Sequence, residues 1–295
     1  MQEIVQHTID AISLGSLYAV LALGLAMVFS VLGLLNFAYG ELLTITGYAM
    51  WALLEAGAPF AVAAVLAVVA ATAASLIMEL VAFRPLRGAS FIALLFSSFA
   101  VAVIVQNVIR QAISPRPKGL SVPSVFDEVI RIGSIRISVL SLVTLAVGVS
   151  ALVVLAAFLQ RSRWGLAMRA AATDFEVTRL MGARANRVIA LAFGVSGVLA
   201  GIAGVLWVSR SGVVTPDLGF TPILTAFVAI VIGGLASLRG AMLGGFALAA
   251  LEIFLQAYLP SGTRPFTSAL VLTAVVAVLY VRPGGLVGRG AEALR

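Results

Sequence analysis

The sequence contains long runs of apolar residues that are almost free of charged side chains. These runs occupy about residues 9 to 33, 42 to 57, 59 to 82, 90 to 110, 138 to 160, 188 to 209, 220 to 236, 241 to 259 and 267 to 282. A helix needs roughly 20 apolar residues to cross the hydrocarbon core of a bilayer, and most of the runs approach that length. Only helices and closed barrels satisfy every backbone group in lipid, and continuous runs favour helices. The sequence therefore predicts an all-α integral membrane protein, a polytopic helical bundle of about eight or nine transmembrane helices.

The composition also indicates a membrane protein. Of the 295 residues, 62% are hydrophobic and 11% are charged, whereas a soluble domain is about 45–50% apolar and about 25% charged. The net charge of +7 comes from cations gathered in short loops, so membrane lipid rather than nucleic acid is the expected partner. The chain lacks cysteine and its one histidine is His7, so no metal site, cofactor or histidine-dependent triad is expected. One transmembrane domain is predicted over residues 1–295.

Arginine and lysine residues in short loops predict the orientation of the helices. The loops on one side carry Arg84 and Arg87, six arginines in the segment 161–187, Arg239, Arg282 and Arg289. That side is predicted to be cytoplasmic and to include the C-terminus. The opposing loop, 111–137, also contains basic residues, and the side of the N-terminus depends on whether the run 42–57 crosses the membrane.

The external loop 111–137 contains the sequence VIRIGSIRIS. Its isoleucines alternate with polar residues around Gly133 and Ser134, a pair suited to a tight type II′ turn. The pattern predicts a small external hairpin, which either covers the ends of the helices or offers a docking surface to a soluble partner.

The loop 161–187 is the longest predicted cytoplasmic segment. An apolar stripe at helical spacing is formed by Met168, Ala171, Ala172 and Phe175. Gly182 suits the residue that ends such a helix, because it has no Cβ atom. The pattern predicts one short amphipathic helix outside the membrane, which either lies flat on the lipid surface or inserts into a cytoplasmic partner.

The stretch LNFAYGELL, residues 34–42, interrupts the apolar sequence after the first run. The polar groups of Asn36, Tyr39 and Glu41 would find no partners in hydrocarbon. The run that follows extends for about 24 Å as a helix, so it is predicted to be short. Either the stretch is an interfacial turn with Glu41 near a helix N-terminus, or it lines a transport path, where Gly40 permits a bend and Glu41 faces a zwitterion or a cation.

Glycines are concentrated in the stretch IGGLASLRGAMLGGFALAALE. Because such small residues let helices approach closely across a tight turn, helix packing is predicted for Gly233, Gly234, Gly240, Gly244 and Gly245. Glu252 lies well inside the last part of this stretch, where an unpaired carboxylate is costly. It is predicted to face the interior of the bundle or a partner subunit.

Three stretches of the sequence resemble the permeases of bacterial ATP-binding-cassette (ABC) importers for branched-chain amino acids. They are GSLYAVLALGLAMVFSVLGLLNFAYGEL, GLAMRAAATDFEVTRLMG and IGGLASLRGAMLGGFALAALE, and the closing VRPGGLVG resembles the tail of the same family. They occur in the order typical of the family, from about residue 15 to residue 288. The resemblance is to the smaller of its two permease subunits.

The resemblance implies roles for two groups of residues. The substrate pathway is expected to include Asn36, Phe37, Tyr39, Gly40, Glu41 and Glu252. Coupling to an ATPase is expected to involve Gly165, Arg169, Ala170, Ala171, Asp174, Phe175 and Gly182. Members of the family usually carry histidine where this chain has Tyr39, so a role for imidazole protonation is not carried over.

The resemblance also implies the other parts of a transporter in the bacterial inner membrane. This permease subunit would form the path for branched-chain or related amino acids, together with a second related permease, two cytoplasmic ATPase subunits and an extracytoplasmic solute-binding protein. The chain is not expected to be an enzyme, because a nucleotide-binding P-loop ends in G-K-[ST] and the single lysine, Lys118, precedes a glycine. The alternatives are a permease of the same type for urea, amides or other small solutes, and a stand-alone secondary carrier.

Overall fold

The computed structural model describes residues 2–86, 88–132, 135–181, 184–235, 237–260, 262–282 and 284–287. Within them the chain forms helices and two very small sheets. The helices are α1 Gln2–Leu32, α2 Tyr39–Glu55, α3 Phe60–Met78, α4 Phe91–Ala112, α5 Val139–Arg161, α6 Arg163–Thr173, α7 Phe175–Leu180, α8 Ala185–Ser211, α9 Phe220–Gly233, α10 Leu238–Tyr258 and α11 Thr267–Val281, and a π-helical turn, Glu79–Phe83, extends α3. The strands are β1 Lys118–Gly119, β2 Val129–Ile132, β3 Ile135–Ser138 and β4 Val213–Val214.

Each apolar run of the sequence lies largely within one helix. Among the described residues, six helices are long and apolar enough to cross a membrane: α1, α3 with its π-helical turn, α4, α5, α8 and α10. α9 and α11 are apolar but shorter, and α2 has 17 residues. The prediction of an all-α polytopic membrane protein is confirmed.

α1 forms the centre of the bundle. Its most apolar stretch is 89% buried, against 22% for α3, 17% for α4 and 28% for α5. α1 is enclosed by protein because α5, α8, α9 and α10 all pack against it. The equally apolar α3, α4 and α5 leave most of their surface outside the bundle, as the apolar surface of a membrane span can. Small residues allow close contact, since a Cβ atom on Gly245 of α10 would lie 2.5 Å from the backbone nitrogen of Ala19.

The predicted hairpin is present and is attached to the start of α1. β2 and β3 pair in an antiparallel register, and Gly133 and Ser134 between them lie outside the described residues. Gln6 donates from Nε2 to the carbonyl of Arg136 at 2.8 Å, and its Oε1 accepts from the backbone amide of Arg136 at 3.0 Å. The first turns of α1 and the hairpin therefore lie at the same end of the bundle.

The segment predicted to form one amphipathic helix forms two, α6 and α7. The prediction of a single helix is wrong because Asp174, between them, adopts an extended conformation with φ −153° and ψ 106°. Its carboxylate accepts a hydrogen bond from the amide of Val177 at 2.9 Å and caps α7. Aspartate favours this capping position over a helix interior, because its short side chain reaches the free amides of the first turn.

The apolar stripe predicted on this segment is only partly buried. Met168 and Ala171 are buried, and through this side α6 packs against α1, α5 and α8. Ala172 is exposed. Gly182 and the side chain of Phe175 lie outside the part of the chain that the structure describes.

Candidate functional site

Two short helices, α2 and α9, meet at their N-terminal ends. Their first turns are in backbone contact, since a Cβ atom on Gly40 would lie 2.5 Å from the carbonyl oxygen of Gly219. The amide of Gly219 donates to the hydroxyl of Thr44 at 3.0 Å. This meeting point, formed by residues 36–44 and 217–220, is termed the α2–α9 junction. Glycine is required on both sides of it, because no side chain fits between the two backbones.

The junction lies within the depth of the bundle. Tyr39 packs its hydroxyl end against Gly24 of α1, which places the start of α2 level with Gly24. α1 continues for eight residues beyond this point, to Leu32, which corresponds to about 12 Å of helix. The stretch LNFAYGELL therefore returns along the end of α1, with Leu34 and Asn36 buried, before it begins a helix inside the bundle.

Several polar atoms at the junction are buried without a partner. Within the described residues, Asn36 Oδ1, Glu41 Oε2 and the hydroxyl group of Tyr39 form no hydrogen bond, and neither does the hydroxyl group of Tyr48 further along α2. Asn36 and Glu41 are each 2% exposed, and Tyr39 is fully buried. Buried polar atoms are almost always paired, and an ionisable residue inside a membrane protein indicates a functional site. The junction is therefore the candidate site.

Glu41 has neighbours that sequence analysis missed. Gln106 of α4 donates from Nε2 to Glu41 Oε1 at 2.7 Å. Asp217 and Arg110 lie within electrostatic range of Glu41, and Asp217 is exposed. The adjacent amides of Gln106 and Asn107 within a largely apolar run were the sequence signal for Gln106. Asp217 sits in an ordinary turn sequence that gave none.

The other predicted pathway residues fall in two places. Phe37, within the junction, stacks on Phe99 of α4 with the ring centroids 4.5 Å apart. Glu252 accepts a hydrogen bond from the hydroxyl of Tyr18 at 2.8 Å, between α10 and α1. It also accepts a hydrogen bond from Nε2 of Gln256 at 3.3 Å, and neither Tyr18 nor Gln256 belongs to the junction.

A groove of about 580 Å³ runs between α6 and α7. It is lined by Arg163, Leu166, Ala167, Ala170, Thr173, Asp174, Val177, Thr178 and Met181. We term it the α6–α7 groove. It is predominantly apolar, and Leu180 and Met181 at its end are 80% and 84% exposed.

The predicted coupling residues are distributed around α6. Ala170 and Asp174 line the α6–α7 groove, and Ala171 is buried. Gly165 is buried at the corner between α5 and α6, where a Cβ atom would lie 2.5 Å from Cα of Leu159. Arg169 is exposed and points away from the groove, into a separate cavity.

The glycines of the α9–α10 turn lie at close backbone contacts. Gly233 contacts Gly240, Gly244 contacts Ala229 across the two helices, and Gly245 contacts α1. Gly234 has a φ of 107°, a value that only glycine adopts freely, and it ends α9. The amide of Leu286 then donates to the carbonyl of Ile232 at 2.8 Å, so the C-terminal tail lies at the same end of the bundle as this turn.

Comparison with known families identifies the chain. A family described as the permease component of the branched-chain amino acid transport system matches residues 8–280. The chain belongs to this family. The high-affinity branched-chain amino acid transport system permease protein LivH of Escherichia coli is 33% identical over 96% of this chain and 95% of its own length.

Two further relatives extend the comparison. The permease protein BraD of Pseudomonas aeruginosa is 33% identical over 96% of this chain and 95% of its own length. The permease protein LivM of Escherichia coli is 29% identical over 95% of this chain and 69% of its own length. No solved structure matches the chain significantly. The prediction of a permease of this family is confirmed.

The α2–α9 junction gives a direct test of the packing. Replacing Gly219 with alanine places a Cβ atom against the carbonyl oxygen of Gly40, and overpacking of this kind lowers the free energy of unfolding by about 1–3 kcal/mol. Thermal unfolding of the purified chain measures the loss. Gly262→Ala is the matched control, because a Cβ atom at Gly262 meets no atom of the described residues within 4 Å. Equal melting temperatures for the two variants would contradict the close contact.

Proposed function

We propose that this chain, as one permease domain over residues 1–295, forms the translocation path for branched-chain or related amino acids in the bacterial inner membrane. The family match over residues 8–280 carries the proposal. The similarity to both LivH and LivM supports pairing with a second, related permease. Two cytoplasmic ATPase subunits supply the energy, and an extracytoplasmic binding protein delivers the substrate.

The proposed topology has nine segments of alternating direction, with α2 and α9 as short segments that start within the membrane. The bond between Gln6 and the external hairpin supports an external N-terminus. The bond between the tail and the end of α9, beside the turn that carries Arg239, supports a cytoplasmic C-terminus. A reporter fused after Arg295 is expected to be active only in the cytoplasm, and activity outside would contradict the topology.

The proposed pathway passes the α2–α9 junction. Asp217 and Phe220 are exposed on the surface of this chain, and a carboxylate at this position is costly against lipid. That side of the junction therefore faces water or the second permease. Short helices that begin inside the membrane are a recurring arrangement at transport sites, because their free amides attract the carboxylate of a substrate.

Cysteine accessibility tests this pathway, because the natural chain has no cysteine. In the assembled transporter, Asp217→Cys is expected to react with a membrane-impermeant maleimide, since its side chain is exposed. Glu41→Cys is expected to react more slowly than Asp217→Cys, since Glu41 is buried in the described conformation and is reached only when the path opens to the substrate. If Asp217→Cys were protected to the same degree as Glu41→Cys, this result would contradict a pathway on this side of the junction.

The α6–α7 groove is the proposed docking surface for the ATPase. It combines exposed apolar side chains with a position outside the long apolar helices, and the bundle itself does not cover them. Movement of the ATPase would reach the bundle through α6, because α6 packs against α1, α5 and α8. Coupling of this kind requires each nucleotide state to prefer a different arrangement of the permease.

Reconstitution tests the function as a whole. The chain is co-expressed with its candidate partners, purified, and placed in vesicles with labelled leucine, isoleucine, valine, aromatic amino acids, short amides and urea. ATP-dependent uptake of branched-chain amino acids, lost when the ATPase is omitted, is the expected result. Accumulation by the isolated chain on an ion gradient would instead identify a secondary carrier, and preference for urea or amides would change the substrate class.

A further inference from the structure

A large cavity opens at the predicted cytoplasmic end of the bundle, apart from the α2–α9 junction. Its volume is about 930 Å³, at the upper end of the range of roughly 300–1,000 Å³ for small-molecule sites. Its walls come from α1, α5, α6, α9, α10, α11 and the tail. We term it the α5–α10 cavity, after two of the helices that line it.

The α5–α10 cavity is apolar in depth and basic at its rim. Leu152 and Leu155 of α5 and Leu23 of α1 line the interior. Arg169, on α6, and Arg239, in the first turn of α10, line the outer part. No acidic residue lines the cavity among the residues that the structure describes. A ligand with an anionic head and an apolar body is therefore complementary to it.

The dimensions match one leaflet of a membrane. The wall formed by α5 extends from Leu152 to Gln160, eight residues or about 12 Å of helix, against about 15 Å for half of a typical hydrocarbon core. Both arginines belong to helices that begin at this end of the bundle, so their positive charges lie at the level of the lipid headgroups. Basic pockets between transmembrane helices at the cytoplasmic side bind anionic headgroups.

We propose that the α5–α10 cavity binds one anionic phospholipid of the inner leaflet. The phosphate contacts Arg169 and Arg239, and an acyl chain lies along Leu155 and Leu23. The lipid then contacts α5, α6 and α10 together and ties α6 to the bundle. Binding of the lipid does not depend on which substrate is transported. A failure of the lipid experiment would therefore leave the function proposed above unaffected.

Native mass spectrometry of the detergent-purified full-length chain tests the proposal. Dioleoylphosphatidylglycerol is expected to remain bound at one molecule per chain, whereas dioleoylphosphatidylcholine is not retained. Arg239→Gln is expected to lower the apparent affinity for phosphatidylglycerol about fivefold, from the loss of one arginine contact. Arg187→Gln is the control, because Arg187 is an exposed arginine at the same end of the bundle that does not line the cavity.

A second variant tests the apolar part of the site. Met242 lines the cavity, and Met242→Trp partly fills it without changing its charge, so phosphatidylglycerol retention is expected to fall. Equal retention of phosphatidylcholine, or an equal loss in Arg187→Gln and Arg239→Gln, would overturn the proposal. So would displacement of the lipid by millimolar inorganic phosphate, which would identify a site for free anions, or an unaltered affinity in Met242→Trp.

Discussion

Val177→Asp is expected to abolish co-purification of the ATPase subunit while the chain still inserts into the membrane. Val177 is 52% exposed and lines the α6–α7 groove. A charge placed in the buried centre of an interface has no partner there, and residues at such positions contribute about 2 kcal/mol or more to binding. That corresponds to a loss of roughly thirtyfold in affinity or more. Pull-down of the ATPase from solubilised membranes measures it.

Val129→Asp is the matched control for this experiment. Val129 is 48% exposed on strand β2 of the external hairpin, so the same change is made at the opposite end of the bundle. The ATPase is expected to remain associated with it. Retention of the ATPase by Val177→Asp would favour the alternative that α6 and α7 lie flat on the lipid surface, because an added charge then weakens only membrane contact.

The long helices could be predicted from the sequence because lipid imposes their length. α5, Val139–Arg161, differs by one residue at each end from the predicted run of 138 to 160. The predicted run of 220 to 236 was too long, because α9 ends at Gly233 where Gly234 takes a positive φ. Apolar side chains continue past that point, so hydropathy alone does not locate the end of the helix.

The start of α2 was harder to predict for a related reason. The predicted run began at residue 42, whereas the helix begins at Tyr39 and includes Glu41. Polar residues are excluded from a helix that faces lipid, but the start of α2 is surrounded by protein, where a carboxylate has Gln106 as a partner. Hydropathy shows only whether a segment is apolar enough to lie in lipid. It does not show whether the end of a helix faces lipid or is enclosed by protein.

The composition of the candidate site depends on contacts between distant parts of the chain. Glu41 and Gln106 are 65 residues apart, and Gly219 and Thr44 are 175 residues apart. Local spacing therefore indicated that Glu41 was unusual without showing what lay beside it. The same limitation hid the partners of Glu252, which are Tyr18 and Gln256, and its place in the pathway stays a prediction.

Glu41→Gln is expected to reduce ATP-dependent uptake by about thirty- to a hundredfold with little change in stability. The glutamine preserves the shape of the side chain and still accepts a hydrogen bond from Gln106, whose donor atom lies 2.7 Å from Glu41 Oε1. It removes the negative charge and the oxygen Oε2, which forms no hydrogen bond of good geometry in the described structure although Thr44 lies close to the carboxylate. A hydrogen bond to a charged group contributes about 1.5–3 kcal/mol, and the expected loss of uptake corresponds to the upper part of that range. Uptake of labelled leucine into vesicles measures the effect.

Two variants separate this role from packing. Gln106→Leu leaves Glu41 Oε1 without its donor, so it is expected to lower the free energy of unfolding by about 1–3 kcal/mol. Glu55→Gln, at the exposed end of the same helix, is expected to alter neither uptake nor stability. If Glu41→Gln transports at the normal rate and only Gln106→Leu is impaired, then Glu41 holds α4 against α2 without contacting the substrate. If both lose uptake while only Gln106→Leu loses stability, then the unpaired oxygen of Glu41 acts in transport, and the hydrogen bond to Gln106 holds the carboxylate in position.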